Sequence, residues 1–212
     1  MDLSSFNHLQ LDAIREVGNI GTGNAATALS KLLSCMIEMD VPKADLVSIY
    51  SLSEYYGDPD SVVAAVFVRS LSEFGCSLIF IQEEKDAALM VDLLLERQFG
   101  EVPRNLPAEM ADSALSEVGN IVLSSFLNAV NLLIGTRHKI SVPGVAHDML
   151  APVLDVVASI FGQMGEMALV INTMLRVAGS ASGGSSKEIA GNIVMLPDPD
   201  ALELLLRKLQ VL

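Results

Sequence analysis

The stretch Glu16-Val-Gly-Asn-Ile20 occurs a second time in this chain, as Glu117-Val-Gly-Asn-Ile121. Each copy belongs to a longer frame of polar residues and one proline, and every member of the second frame follows its counterpart by 101 residues. A frame repeated once with all its spacings kept indicates an internal duplication. The sequence therefore predicts two related halves that carry two related sites. The frame members are Asp12, Glu16, Asn19 and Pro42 in the first half and Ser113, Glu117, Asn120 and Pro143 in the second.

The composition limits the possible classes of protein. A chain of 212 residues that is 51% apolar can bury a sizeable core. Its 13 basic and 26 acidic residues give a net charge of −13, which would repel the phosphate backbone of a nucleic acid. The two cysteines cannot form a disulfide framework, and the first residues lack the features of a signal peptide. We therefore expect a cytoplasmic protein that does not bind nucleic acid.

The hydropathy of the chain is high, but it does not predict a membrane span. The most apolar stretch is interrupted by Asp155, Glu166 and Arg176. No uninterrupted apolar run approaches the ~20 residues that a spanning helix needs. We therefore expect no membrane insertion.

Both motifs lie in segments with helical periodicity, from about Phe6 to Leu33 and from about Pro107 to Ile134. Apolar and small residues recur there at steps of three and four, which predicts one core-facing stripe on each helix. A glycine in a helix interior costs roughly 1 kcal/mol relative to alanine, so the glycines of the first stripe predict a close approach of another backbone. The stripes are Ile14, Gly18, Gly21, Ala25, Ala28 and Leu32 in the first helix and Leu115, Gly119, Val122, Phe126, Ala129 and Leu133 in the second.

Each long helix is followed by segments that look extended, and each half closes with a shorter amphipathic helix. The closing helices are predicted at Glu83–Gln98 and Pro197–Leu209, and their offset has grown to 114. This growth predicts an insertion in the second half, which we place in the helical-looking segment Pro152–Gly162. The extended segments are Cys35–Ser48, Ser61–Arg69 and Cys76–Ile81, followed by His138–His147, Met167–Val177 and Ile189–Leu196.

The remaining segments are predicted to be loops or connections. Turn-forming residues indicate loops at Ser53–Asp60 and Gly179–Ser186, and Gly100–Pro107 joins the halves. Each half has few strands and a one-sided helix, so we expect the two halves to share one sheet and one core. The chain is thus interpreted as one domain over 1–212, built of repeats at about 6–100 and about 106–212.

The polar members of each frame are predicted to face solvent. On a helix that turns 100° per residue, Asp12, Glu16, Asn19 and Gly23 lie within about 60° of one another, roughly opposite the apolar stripe. The same geometry applies to the second frame. One interpretation is that these are solvated positions inherited through duplication. The other is that an outward-facing acid and amide, repeated together, act on another molecule.

The chemistry of the pair favours hydrolysis of an activated phosphoryl group. An asparagine offers one acceptor and two donors but no proton transfer near neutral pH, so it can orient a water molecule without acting as a strong base. Charge stabilisation can come from a metal and a lysine that the phosphorylated partner already holds. The pair supplies no nucleophile, no histidine base and no metal cage, so a stand-alone esterase is harder to build from it.

The doubled frame resembles that of the CheC family of chemotaxis phosphatases, related to CheX and FliY, over nearly the whole chain. The resemblance implies an α+β fold with a pseudo-twofold duplication and a shared, mainly antiparallel sheet flanked by helices, two of them long and motif-bearing. It implies hydrolysis of the aspartyl phosphate of phosphorylated CheY, with Mg²⁺ in that receiver partner and no cofactor in the chain itself. It also implies a partnership with the receptor deamidase CheD.

The resemblance assigns roles residue by residue. Asn19 and Asn120 would orient the attacking water, and Glu16 and Glu117 would contact the receiver's lysine. A supporting role falls to Asp12 and Ser113, and a backbone-shaping role in the following strand falls to Pro42 and Pro143. The alternative function is a non-catalytic adaptor that binds the receiver or CheD.

Two further sequence patterns are weak evidence for a nucleotide site or a metal site. Gly21-Thr-Gly23-Asn-Ala-Ala26 matches a dinucleotide fingerprint, but that fingerprint needs a preceding strand and a turn, whereas the preceding residues have helical periodicity. The histidines His8, His138 and His147 show no ligand spacing, so no metal site is expected.

Overall fold

The computed structural model describes residues 8–102, 105–137, 139–161, 166–177 and 186–208. The described elements of both halves follow the same order of helix, strand, helix, strand, strand, helix. A short 3-10 turn at Ile49–Ser51 precedes the second helix. The elements are α1 (His8–Leu33), β1 (Ile37–Ser48), α2 (Leu52–Tyr56), β2 (Val62–Arg69), β3 (Cys76–Glu83), α3 (Glu84–Phe99), α4 (Ala108–Ile134), β4 (Gly144–Met149), α5 (Leu150–Phe161), β5 (Met167–Val177), β6 (Lys187–Pro197) and α6 (Pro199–Lys208).

The six strands form one antiparallel sheet in the order β1-β5-β6-β3-β2-β4. At its centre β3 pairs with β6, so one strand of each half meets the equivalent strand of the other. Towards the edges, β1 pairs with β5 and β4 pairs with β2. The first strand of each half therefore pairs with a strand of the other half. The expected shared antiparallel sheet of an α+β fold is confirmed. The repeat boundaries at about 6–100 and 106–212 remain our interpretation of this order.

Helices cover both faces of the sheet. The larger core lies under α1, α3, α4 and α6, and the smaller core lies under α2 and α5. Successive residues of a strand point to opposite faces, so Phe80 belongs to the larger core and its neighbour Ile79 to the smaller one. The two motif-bearing helices α1 and α4 lie on the same face and pack against each other.

The close approach predicted at the helix glycines is confirmed at Gly21. A Cβ atom at this position would lie 2.8 Å from the Cα of Phe126 on α4, a distance that real Cβ atoms do not show. The prediction is wrong for Gly18, where a Cβ would make an ordinary contact of 3.6 Å with Ile171. Gly119 is also constrained, because a Cβ there would lie 2.6 Å from the side chain of Val66. Glycines thus set the spacing of α1 to α4 and of α4 to the sheet.

The predicted core stripes are mostly correct. In α1 the first four stripe residues are buried, and Ala28 and Leu32 are half-buried. In α4 the stripe is buried from Leu115 to Ala129, but Leu133 is 40% exposed. The prediction is wrong for Leu133 because the core-facing side of the last turn carries Val130 and Ile134, which are 0% and 3% exposed.

The first predicted loop is in part a helix. Residues 53–56 of the predicted loop Ser53–Asp60 belong to α2, which is held to the smaller core by the buried Leu52. The Ser48 side chain caps the preceding turn by accepting a hydrogen bond from the Tyr50 backbone N–H at 3.3 Å. A helix this short has too little periodicity to be predicted. The predicted loop at 179–186 lies, except for Ser186, outside the described residues.

The interpretation of Pro152–Gly162 as the insertion is only partly right. The helix α5 occupies the same place in its half as the 3-10 turn and α2 do in the first. However, α5 has 12 residues, whereas the 3-10 turn and α2 have three and five, so part of the additional length lies in α5. The larger part lies in the β5–β6 hairpin, whose strands have 11 residues each, whereas β2 and β3 have eight each. The strand predicted at His138–His147 is also shorter, because β4 begins at Gly144.

Among the residues that the structure describes, one helix has the length and composition of a membrane span. It is α4, but 56% of its most apolar window is buried inside the protein. Such burial is typical of a core helix, so length and composition are weak support for a span.

Candidate active site

The first motif lies on the outer face of α1. The side chains of Asp12, Glu16 and Asn19 are exposed, as the helical geometry predicts. Asp12 forms an ion pair with Arg15 at 2.9 Å. Within the described part of the chain, the side chains of Glu16 and Asn19 have no hydrogen-bond or ion-pair partner, so they are free to contact another molecule.

The second motif lies on α4 in a similar but not identical setting. Ser113 and Glu117 are exposed, whereas Asn120 is half-buried. The Ser113 hydroxyl donates to the backbone carbonyl of Glu109 at 2.7 Å, so it stabilises its own helix. Glu117 and Asn120 have no side-chain partner among the residues that the structure describes. The prediction of an outward face is thus right for Glu117 and only partly right for Asn120.

The two prolines lie at the two edges of the sheet. Pro42 is within β1, where the pairing with β5 shifts register between Asp40 and Lys43. Pro143 directly precedes β4. Proline has no backbone N–H to donate, so a bulge in an edge strand and the start of a strand are places where it fits. Both positions agree with a backbone-shaping role, which itself remains a prediction.

A groove of about 640 Å³ adjoins the first motif. It lies between α1 and β1 and is open to solvent. The sequence could not reveal this groove, because its second wall depends on where the edge strand is placed. The lining residues are Gly23, Ala26, Thr27, Ser30 and Lys31 from the helix side and Met36, Ile37, Glu38, Met39 and Asp40 from the strand side.

A histidine contact that the sequence did not predict adjoins the second motif. The ring of His147 on β4 lies 3.0 Å from a carboxylate oxygen of Glu84 and 3.2 Å from one of Asp112. Asp112 directly precedes Ser113 on α4. The three residues come from three elements far apart in the chain, so no local spacing signals them. Among the described residues, no cluster of metal-ligating side chains is present, and His138 lies outside that part of the chain.

The two thiols do not offer an activated nucleophile. Burial raises the pKa of Cys76 to about 12. Burial also raises the pKa of Cys35, and the nearby Arg97 only partly opposes this effect. A thiol that ionises only above its usual range is a poor nucleophile at neutral pH. Covalent catalysis by cysteine is therefore disfavoured.

The dinucleotide fingerprint at 21–26 lies wholly inside α1. A dinucleotide site requires a strand, a tight turn and the beginning of a helix, in that order. A mid-helix position offers no free backbone N–H groups to a pyrophosphate. The packing of Gly21 against Phe126 explains one glycine of the match instead.

The residues of both motifs lie in segments that match a known protein family. The model of the CheC-like family matches residues 9–44 and 110–147, which include every member of both frames. The chain is 34% identical over 206 residues to a Bacillus subtilis (strain 168) protein named CheY-P phosphatase CheC, with 96% of each chain covered. It is 27% identical over 144 residues to the flagellar motor switch phosphatase FliY of the same organism, covering 68% of this chain and 37% of that protein.

Solved structures show the same fold. The crystal structure of Thermotoga maritima FliY matches with a TM-score of 0.74 and 21% identity, covering 97% of this chain and 98% of that one. The middle domain of FliM from H. pylori matches with a TM-score of 0.64 and 14% identity over 96% and 99% of the two chains. At these identities the likeness concerns the arrangement of helices and strands alone.

Proposed function

This chain belongs to the CheC-like family, and from that premise we propose that it is a phosphatase that hydrolyses the aspartyl phosphate of phosphorylated CheY. A relative that is 34% identical over nearly its whole length carries the name of a CheY-P phosphatase. The observation that carries the proposal is the doubled Glu–Asn pair. Each pair lies on a long helix, and its side chains have no partner in the described part of the protein.

Asn19 and Asn120 are the proposed water-orienting residues. The side-chain amide can accept a hydrogen bond from a water molecule and donate one to a phosphoryl oxygen. The water oxygen then attacks phosphorus in line, and the bond from phosphorus to the aspartyl oxygen breaks. The aspartate leaves as a carboxylate, and the protons of the water pass to the phosphate product and to solvent.

Glu16 and Glu117 are the proposed docking acids. Each lies one turn before its asparagine, so a cation bound by the glutamate is held near the amide. The family resemblance implies that the receiver holds a lysine and Mg²⁺, which would stabilise the charge that develops during phosphoryl transfer. We infer that the glutamate pairs with that lysine and that the metal is supplied by the receiver, so the chain needs no cofactor of its own.

The remaining frame members act through the backbone and the helix surface. Asp12 and Ser113 are supporting residues, since one pairs with Arg15 and the other bonds its own helix. Pro42 and Pro143 shape the edge strands that follow the motif helices. We also infer a cytoplasmic location and CheD as a second partner, as the family resemblance implies.

The test is the decay of labelled phosphate from phosphorylated CheY. Wild type, Asn19→Ala, Asn120→Ala and the double variant are compared, and the exposed Asn24→Ala on another face of α1 is the matched control. We expect each single variant to lose part of the activity and the double variant to lose a factor of roughly 10²–10³. A double variant that matches wild type would contradict the proposal. CheY binding without any hydrolysis by wild type would identify the adaptor instead.

A further inference from the structure

Gly23 is a residue that internal packing does not explain. It lies in the interior of α1, where glycine is less favourable than alanine. A Cβ atom at this position would meet nothing within 4 Å, in contrast to one at Gly21. Among the described residues, therefore, none requires a glycine at position 23.

The position of Gly23 relates it to the first motif. It follows Asn19 by four residues, so it lies one turn further along the same face. At 100° per residue its direction falls between those of Asn19 and Glu16. A molecule that contacts both of these side chains and extends along the helix toward its C-terminal end passes over the bare backbone at Gly23.

Gly23 is also where the groove between α1 and β1 begins. The helix wall of the groove continues along the motif face through Thr27 and Ser30. The strand side carries Met36, which is 67% exposed, and the solvent-facing edge of β1. Lys31 lies in this groove and has no ion-pair partner in the described part of the chain. The groove is thus continuous with the surface that presents Glu16 and Asn19.

The second half does not repeat this arrangement. The counterpart of Gly23 is Ser124, which is half-buried and donates a hydrogen bond to the Ile121 carbonyl at 3.3 Å. The counterparts of residues 36–40 are residues 137–141, and the described ones among them belong to no strand, because β4 begins at Gly144. The groove therefore belongs to the first site.

We propose that the groove between α1 and β1 is part of the receiver-docking surface of the first site, and that Gly23 is a positioning residue there. This inference rests on the proposed phosphatase function. The missing side chain lets the main chain of the receiver approach the helix closely enough for its phosphoryl group to reach Asn19. A methyl group at position 23 would hold the partner away from the amide.

The test uses the Asn120→Ala variant as the parent, so that only the first site works. Gly23→Ala is added to this parent, and Asn24→Ala, which lies about 100° away on the helix, is the matched control. With phosphorylated CheY as substrate, we expect Gly23→Ala to lower kcat/KM by about tenfold to a hundredfold. The same substitution should raise Tm by about 1–4 °C, because alanine is better in a helix and nothing clashes. Asn24→Ala should change kcat/KM by less than about twofold.

Three outcomes would overturn the inference. One is a kcat/KM of the Gly23→Ala variant within about twofold of the parent. The second is a lower Tm, which would show that packing requires the glycine. The third is a parent without activity while Asn19→Ala remains active, because the first site would then not work at all. None of these outcomes contradicts the proposed phosphatase function. That proposal is contradicted instead if the Asn19→Ala, Asn120→Ala double variant keeps full activity.

Discussion

Phe126 of α4 lies directly over Gly21 of α1, and a Cβ at position 21 would be only 2.8 Å from the Phe126 Cα. Because a backbone atom blocks the space, Gly21→Ala should push the two motif helices apart. We expect the free energy of unfolding to fall by about 1–3 kcal/mol, as overpacked cores do. Urea unfolding measures the change. Gly18→Ala is the matched control on the same stripe and should be much milder, since its Cβ would make an ordinary 3.6 Å contact.

Arg69 on β2 ties the sheet to the start of α6. Its guanidinium forms two bonds to the carboxylate of Asp198, at 2.6 and 2.9 Å, and a third to Ser77 at 3.2 Å. Both partners are about two-thirds buried, so we expect Arg69→Met to cost about 1–3 kcal/mol of unfolding free energy. Arg207→Met removes an exposed pair with Glu203 and should cost about 0.3–0.5 kcal/mol. If denaturant unfolding shows the same decrease in unfolding free energy for Arg69→Met and Arg207→Met, the Arg69–Asp198 pair contributes no more to stability than an exposed pair.

The two cysteines should differ in reactivity. Burial raises the pKa of Cys76 to about 12, whereas Cys35 is only half-buried. A thiol-specific reagent at about pH 8 should label Cys35 first and Cys76 only after unfolding. Mass spectrometry of the labelled peptides measures the order, with Cys35→Ser as the control. Rapid labelling of Cys76 in the native protein would contradict its placement in the core.

Asp86 should give the stability a pH dependence. It lies at the start of α3 and accepts the backbone N–H of Ala190, but burial raises its pKa above the usual value. Protonation of Asp86 therefore favours the folded state. Its contribution to stability is complete below the ordinary carboxyl pKa and is lost as the pH rises through the raised value.

Asp86→Asn tests this dependence, because the amide keeps an acceptor for Ala190 without a titrating charge. The groups that act on Asp86 are Lys85, whose charge lowers its pKa, and Glu83, whose charge raises it. Relative to wild type, the variant should gain stability as the pH rises from about 4 to about 7. A stability difference that is constant over this range would contradict the assignment.

Much of the site could be predicted because the direction of its side chains depends only on the residues of one helix. The period of 3.6 residues is enough to direct Glu16 and Asn19 outward while Val17 and Gly18 are buried. The half-buried state of Asn120 could not be predicted in this way, since it depends on what packs beside α4. The contact of His147 with Glu84 and Asp112 was missed for the same reason.

The pairing of the strands could not be predicted from the sequence. An alternation of two residues tells which face of a strand is buried but not which strand lies beside it. The repeat predicted a shared sheet, yet nothing in it indicated that β1 would pair with β5 and β4 with β2. The groove beside Gly23 follows from that pairing, so it could not be predicted either.

The exchange of first strands between the halves bears on how such a chain could arise. A single repeat by itself would leave backbone N–H and C=O groups unpaired along both edges of its hairpin, β2–β3 or β5–β6. Unpaired strand edges of this kind favour association with other chains. An ancestor with one motif could have completed the sheet only by joining a second copy of itself about a twofold axis. On this interpretation, fusion of the two copies then freed each motif to diverge, as the exposed Asn19 and the half-buried Asn120 illustrate.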